Sequence, residues 1–264
     1  MTWRAVLTTL VILTSGQVAA QDRPPAPELP VAETAARPPE KPAAEVDAPK
    51  DQDPAPAPSA FQGPPAPPAW YALAETDAEF AACRLALSML GTTYKLQDPL
   101  SAPDDRDCGI ARPLRVSQIV PGVTLTGDPV MRCDTARALG FWTRDFLRPA
   151  AALMDGAPRL TGLQTGPAYS CRDRVGTGAD QPKQSEHAYG SAVDIMAFDF
   201  DDGASMSVQP RVGDGNQAES FLRAARGTAC LVFTTVLGPG ANAAHDNHLH
   251  LDMAGRTNGW RLCE

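Results

Sequence analysis

The chain has 264 residues, 43% of them hydrophobic, which is enough for one folded domain with its own core plus appended segments. A formal net charge of −8 argues against a nucleic-acid partner, because phosphate binding needs a basic surface. From the N-terminus, Arg4 precedes an apolar run over residues 5–14 that is too short to span a bilayer comfortably. Val18-Ala19-Ala20 then forms a small-residue cleavage site before Gln21. Residues 1–20 read as a signal peptide, so the mature chain is expected to be exported without a membrane anchor. More than half of the 26 prolines fall between residues 21 and 69. Residues 21–70 therefore read as a Pro/Ala-rich disordered linker with polyproline II character, and the folded domain as residues 71–264.

Within the domain, Thr76-x-x-Glu79 is a capping box that opens a helix. Phe80, Cys83, Leu87 and Leu90 follow helical spacing, and Gly91 can end it. Residues 92–113 are turn-rich. Val116 to Val120 and Val123 to Leu125 read as two strands about a Pro121-Gly122 turn. Asp128-Pro129 predicts the start of a second helix, with Asp as N-cap, and Ala138, Phe141, Trp142 and Phe146 give it a core-facing stripe. Strands are expected over 159–164, 168–172, 193–198, 207–212 and 231–237, a helix over 217–225 ended by Gly227, and a strand at 248–251. Six cysteines, with no C-x-x-C pair, in an exported chain predict three disulfides. Of the possible pairings Cys230 with Cys263 is favoured, because it ties the tail beside the last strand. The expected fold is α+β, an antiparallel sheet with helices packed on one side.

All four histidines lie in two short stretches, Ser185-Glu186-His187-Ala188-Tyr189-Gly190-Ser191-Ala192-Val193-Asp194 and His245-Asp246-Asn247-His248-Leu249-His250. Neutral imidazole is the commonest zinc ligand, and a catalytic zinc takes three protein ligands and leaves one position to water. His187, Asp194 and one histidine of the second stretch would supply such a set. Residues i and i+2 of a strand share a face, so His248 and His250 are expected to point the same way.

The pattern Ser185-x-His187-x-x-Gly190-x-Ala192-x-Asp194 resembles the zinc motif of the DD-carboxypeptidase and Hedgehog-type metallopeptidases. His245-x-x-His248-x-His250 is similar to the second cluster of penicillin-insensitive murein endopeptidases. The chain from about Ala74 onward looks most like the bacterial extensin-like C-terminal domain family, through Cys108-Gly109, Tyr169-Ser170-Cys171-Arg172, Val236-Leu237-Gly238-Pro239 and the two histidine stretches.

The resemblance implies a zinc peptidase of the periplasm acting on peptidoglycan stem peptides, as a DD-carboxypeptidase or an endopeptidase. It implies zinc held by His187, Asp194 and His250, with His248 as general base or acid and His245 assisting it. Arg172 matches loosely an arginine that holds the scissile carbonyl oxygen in DD-carboxypeptidases. One position departs from that pattern. Those enzymes carry a glutamate base three residues before the last zinc histidine, where this chain has Asn247, which takes no proton. The base role then falls to His248, and a non-catalytic zinc-bearing wall-binding domain is the alternative reading.

Overall fold

A computed structural model describes residues 66–175, 180 and 183–264. The expected signal peptide and the linker up to residue 65 lie outside the described residues. Helices α1 (Ala69–Ala72) and α2 (Asp77–Leu90) lead into β1 (Thr93–Leu96), β2 (Leu100–Ser101), β3 (Gly109–Ile110), β4 (Leu114–Val120), β5 (Val123–Leu125) and β6 (Val130–Met131). Helix α3 (Cys133–Trp142) runs through a π-helical turn, Thr143–Leu147, into α4 (Arg148–Ala152). There follow β7 (Leu160–Thr165), β8 (Ala192–Phe200), β9 (Ser205–Ser207), α5 (Gln217–Ala229), β10 (Thr235–Leu237), β11 (Leu249–Asp252) and β12 (Leu262–Cys263). No helix among the described residues is long and apolar enough to cross a membrane.

The fold is α+β, built on a large mixed sheet ordered β1-β4-β5-β7-β8-β11-β10-β12, with β6 added to β4 and β9 to β8. The expectation of a purely antiparallel sheet is corrected at two places, because β5 pairs with β7 and β10 with β12 in parallel. Helices α3 and α4 form the crossover between β5 and β7, the kind of long connection a parallel pair requires. Strand β11 comes between β10 and β12 in sequence and reverses the chain, so β12 returns parallel to β10.

Local chemistry accounts for several boundaries. The Thr76 hydroxyl accepts from the Glu79 amide while the Glu79 carboxylate accepts from the Thr76 amide, and Gly91 ends α2 at φ +70. The second helix begins later than predicted. Asp128 takes φ +47, and Val130–Met131 pair with Leu114–Arg115 instead of turning into helix. The start is set at Cys133 by its disulfide to Cys83 and by the Arg132 amide, which donates to Gly190 O at 2.9 Å. Residues 168–172 form no strand; Cys171 is bonded to Cys108 there. Strand β9 ends at Ser207, where the 207–212 strand was expected to begin, and β10 covers only the last part of the 231–237 segment, whose Leu231 is exposed. Helix α5 runs through Gly227 to Ala229, which is fully buried, and Cys230 follows it in a disulfide to Cys263, the favoured pairing.

The core joins the helices to one face of the sheet. Trp142 is fully buried between Phe198 and Phe233, with edge-on ring contacts at 6.2 and 6.5 Å, and its indole N–H donates to Ala225 O at 3.1 Å. A buried aromatic of this size contributes several kcal/mol (about 3–5 on truncation to Ala). Strand β8 supplies Val193 and Ile195, then Phe198 and Phe200, to this core. The change of phase follows from an irregularity opposite Gln164/Thr165, where Ala197 and Ile195 are the register partners and Met196 is left over. Alternation with Val193 and Ile195 keeps Asp194 off the core cluster, as alternation with Leu249 and Leu251 keeps off His250 and Asp252 of β11.

Candidate metal centre

Strands β8 and β11 pair antiparallel with His250 directly opposite Asp194. Directly opposed residues project to the same face at short range, so register alone sets these two side chains together. His187 arrives from above on a 3-10 turn, Glu186–Tyr189. The Ser185 hydroxyl caps that turn by accepting from the His187 amide, and Gly190 ends it at φ +64. Glycine is required there on two counts: the left-handed backbone, and the Ile110 side chain against which a Cβ would press. Gly190 O also accepts from the Thr135 hydroxyl at 3.1 Å, tying the turn to α3.

Three donor atoms converge. His187 Nε2 lies 3.1 Å from His250 Nδ1 and 3.2 Å from Asp194 Oδ1, and His250 Nδ1 lies 3.1 Å from Asp194 Oδ1. The outer nitrogens are both engaged. His187 Nδ1 donates to Ala168 O at 3.2 Å, and His250 Nε2 donates to Asp252 Oδ2 at 3.0 Å. These partners accept only, so each ring keeps a proton on its outer nitrogen and, in the singly protonated form, presents a lone pair from the inner one. The result is a buried triangle of acceptors facing one another, the form of a site for a cation. Tetrahedral zinc, with bonds of about 2.0–2.1 Å, sets its ligand atoms roughly 3.3 Å apart, so the residues present fit such an ion.

The electrostatics agree. Burial pushes the Asp194 carboxyl up, but contact with the His187 and His250 rings outweighs it and holds the group well below the usual carboxylate range. Burial likewise opposes charge on His250, yet Asp194 and Asp252 push its pKa up to about 9. The cluster therefore attracts positive charge strongly.

The remaining predicted residues lie around the triangle. His248 Nε2 is 3.7 Å from Asp194 Oδ1, and its Nδ1 donates to Asn247 Oδ1 at 2.9 Å. That contact leaves the Nε2 lone pair facing the cluster. Burial lowers the His248 pKa, and burial followed by the His250 and His248 charges lowers that of His245 to about 4. Both are neutral at neutral pH. His245 packs 5.2 Å from His248 and 5.7 Å from His250, ring to ring, and donates Nδ1–H to Asn242 Oδ1 at 2.8 Å. A cleft opens beside His250, lined by Arg172, Glu186, His245, Asp252 and Arg256 among others. Arg172 is exposed at its rim, its guanidinium reaching only the Asp173 carbonyl at 3.4 Å among the described residues.

Sequence reasoning overlooked Asp252 and Asn242, and singled out Asn247 as a missing base without seeing that it orients His248. The signal for Asp252 was present, since His250-x-Asp252 is the i, i+2 spacing that puts two side chains on one strand face.

Comparison with curated proteins and with solved structures finds no significant match. Residues 81–264, which contain the whole cluster, match the family described as Extensin-like protein C-terminus. The chain belongs to that family.

Proposed function

We propose that this chain is a zinc-dependent hydrolase of peptidoglycan stem-peptide amide bonds, acting in the periplasm in cell-wall remodelling. The observation that carries the reading is the acceptor triangle of His187, Asp194 and His250, with both outer ring nitrogens already committed. Zinc held there would polarise a carbonyl oxygen and lower the pKa of water toward neutrality. The likeness of both histidine stretches to those of the DD-carboxypeptidases and murein endopeptidases supports the same assignment.

The chain's own residues would divide the work as follows. His248 Nε2, unprotonated and facing the cluster, takes the proton of the attacking water and returns it to the leaving amine. His245, also neutral and with its proton on Nδ1, sits against both His248 and His250 and can assist His248 by accepting a hydrogen bond at Nε2. Arg172 at the rim of the cleft is suited to a carbonyl oxygen or a terminal carboxylate. The N-terminal export signal and the linker read from the sequence are consistent with a substrate beyond the inner membrane.

The test is mass spectrometry of purified muropeptides after incubation with the disulfide-bonded, zinc-loaded protein, with His248→Ala alongside. Loss of a terminal D-Ala assigns a carboxypeptidase, and loss of a crosslink an endopeptidase. Intact muropeptides across a range of pH, with zinc bound, would replace this reading with the non-catalytic wall-binding domain.

A further inference from the structure

We propose that Asp252 is a positioning residue of the metal centre: its buried carboxylate fixes the His250 ring so that Nδ1, and not Nε2, faces His187 and Asp194. The inference rests on the zinc reading above and names a residue that the sequence resemblance does not include.

Asp252 is 5% exposed and lies two residues beyond His250 on β11, so both side chains stand on the same rigid strand face. Its Oδ2 accepts from His250 Nε2 at 3.0 Å, on the side of the imidazole away from the other ligands. Its Oδ1 accepts the Ala254 amide at 3.0 Å. The Thr235 hydroxyl lies beside the carboxylate and itself accepts from the Arg256 guanidinium, so its proton is free to point to Asp252. A chain of donors thus runs from Arg256 through Thr235 to Asp252, and Asp252 also accepts a hydrogen bond from His250 Nε2–H. Held from three directions, the carboxylate cannot rotate to become a ligand itself.

The charge of Asp252 needs this connection. Arg256 reaches Thr235 and not the carboxylate, and the one titratable ring that bonds to Asp252 among the described residues is His250. With a singly protonated, neutral His250 ring, the buried carboxylate would rest on neutral partners alone, a costly arrangement. It becomes favourable when positive charge enters on the far side of the ring, at Nδ1. The carboxylate then makes the imidazole a stronger donor to the metal, as partners of metal-bound histidines generally do.

The proposal is tested on the disulfide-bonded protein with two readouts that need no turnover. Long-range proton–nitrogen NMR of histidine-labelled, zinc-loaded wild type should show His250 bound through Nδ1 and carrying its proton on Nε2. Competition with a chromophoric chelator should show Asp252→Asn binding zinc about 10–100-fold more weakly than wild type, with Asp252→Ala at least as weak. Thr235→Val, which preserves shape and removes the hydroxyl, should weaken binding by roughly 3-fold and serves if the Asp252 variants fail to fold. A purely structural role would lower the melting temperature of the chelator-treated protein and leave zinc affinity unchanged. His250 bound through Nε2, or zinc affinity within twofold of wild type in a folded Asp252→Asn, overturns the assignment while leaving the zinc reading intact. A wild type that takes up no zinc overturns both.

Discussion

Gly190→Ala is the substitution that most directly tests how the fold supports the cluster. Gly190 ends the turn that carries His187, at φ +64, and an added Cβ would come within 2.9 Å of Ile110 Cγ1 and 3.3 Å of the Arg132 amide. The left-handed backbone costs an L-residue about 1–2 kcal/mol. Forcing a methyl into a packed site costs about 1–3 kcal/mol more. Ile110 is 1% exposed and sits on β3, which is tied into place by the neighbouring Cys108–Cys171 disulfide, so it has little room to withdraw. The expected loss is about 2–5 kcal/mol, a large part of the roughly 5–15 kcal/mol that holds an ordinary domain folded. Guanidinium denaturation with the disulfides intact measures it. Repeating the substitution in an Ile110→Ala background removes the clash and should leave only the backbone cost of about 1–2 kcal/mol. A loss below about 0.5 kcal/mol, or the same loss in both backgrounds, refutes the steric argument.

His248→Ala should retain zinc, because the proposed ligands are His187, Asp194 and His250, while muropeptide hydrolysis falls about 10²–10⁴-fold; loss of zinc with loss of activity would place His248 among the ligands instead. Replacing both Cys230 and Cys263 by Ser opens a loop spanning 33 residues, for which chain entropy predicts a loss of about 3–4 kcal/mol in chemical denaturation. Glu219 supplies a pH test remote from the metal. The Gly215 amide, Arg223 and the Gly213 amide hold its carboxyl at about 2, below the ordinary 4.5. A depressed carboxyl stabilises the fold above the unfolded value and loses that contribution as pH falls through the folded one. Glu219→Gln should therefore lower the melting temperature at pH 6 and converge with wild type near pH 2; an equal gap at both pH values would contradict the assignment.

What the sequence disclosed was set by interactions close along the chain. The capping box at Thr76 and Glu79, the stop at Gly91 and the Pro121-Gly122 hairpin each depend on neighbouring residues, and they form as read. Of the histidine stretches, the turn carrying His187 and the strand carrying His250 were legible locally, whereas the antiparallel pairing that sets His250 opposite Asp194 joins residues 56 apart. The misreadings lie where distant contacts override local signals. Asp128-Pro129 has good helix-start chemistry, but pairing of Val130–Met131 with β4 outweighs it. Gly227 costs α5 about 1 kcal/mol relative to alanine, and burial of Ala229 carries the helix past it. The parallel pairs and the leftover Met196 on β8 depend on partners far away in sequence, which no local pattern encodes.

Asn247, the departure from the DD-carboxypeptidase pattern, is coherent with the charges around the proposed zinc. Asp194 and Asp252 are buried carboxylates, while Glu186, the next acid, is matched by Arg174 at 3.0 Å. With neutral His187 and His250, the inner groups carry two negative charges, which a dication cancels. A proton on His250 Nδ1 can satisfy one of its two acceptor neighbours at a time, whereas an ion at the centre satisfies all three donor atoms together. A glutamate at position 247 would add a third negative charge beside this balance. An amide adds none, and here its oxygen accepts a hydrogen bond from His248 Nδ1–H, leaving Nε2 unprotonated on the side of Asp194. On this argument Asn247 and His248 belong together: in the proposed function a neutral ring stands in the base role that a carboxylate fills in DD-carboxypeptidases, and the asparagine orients that ring.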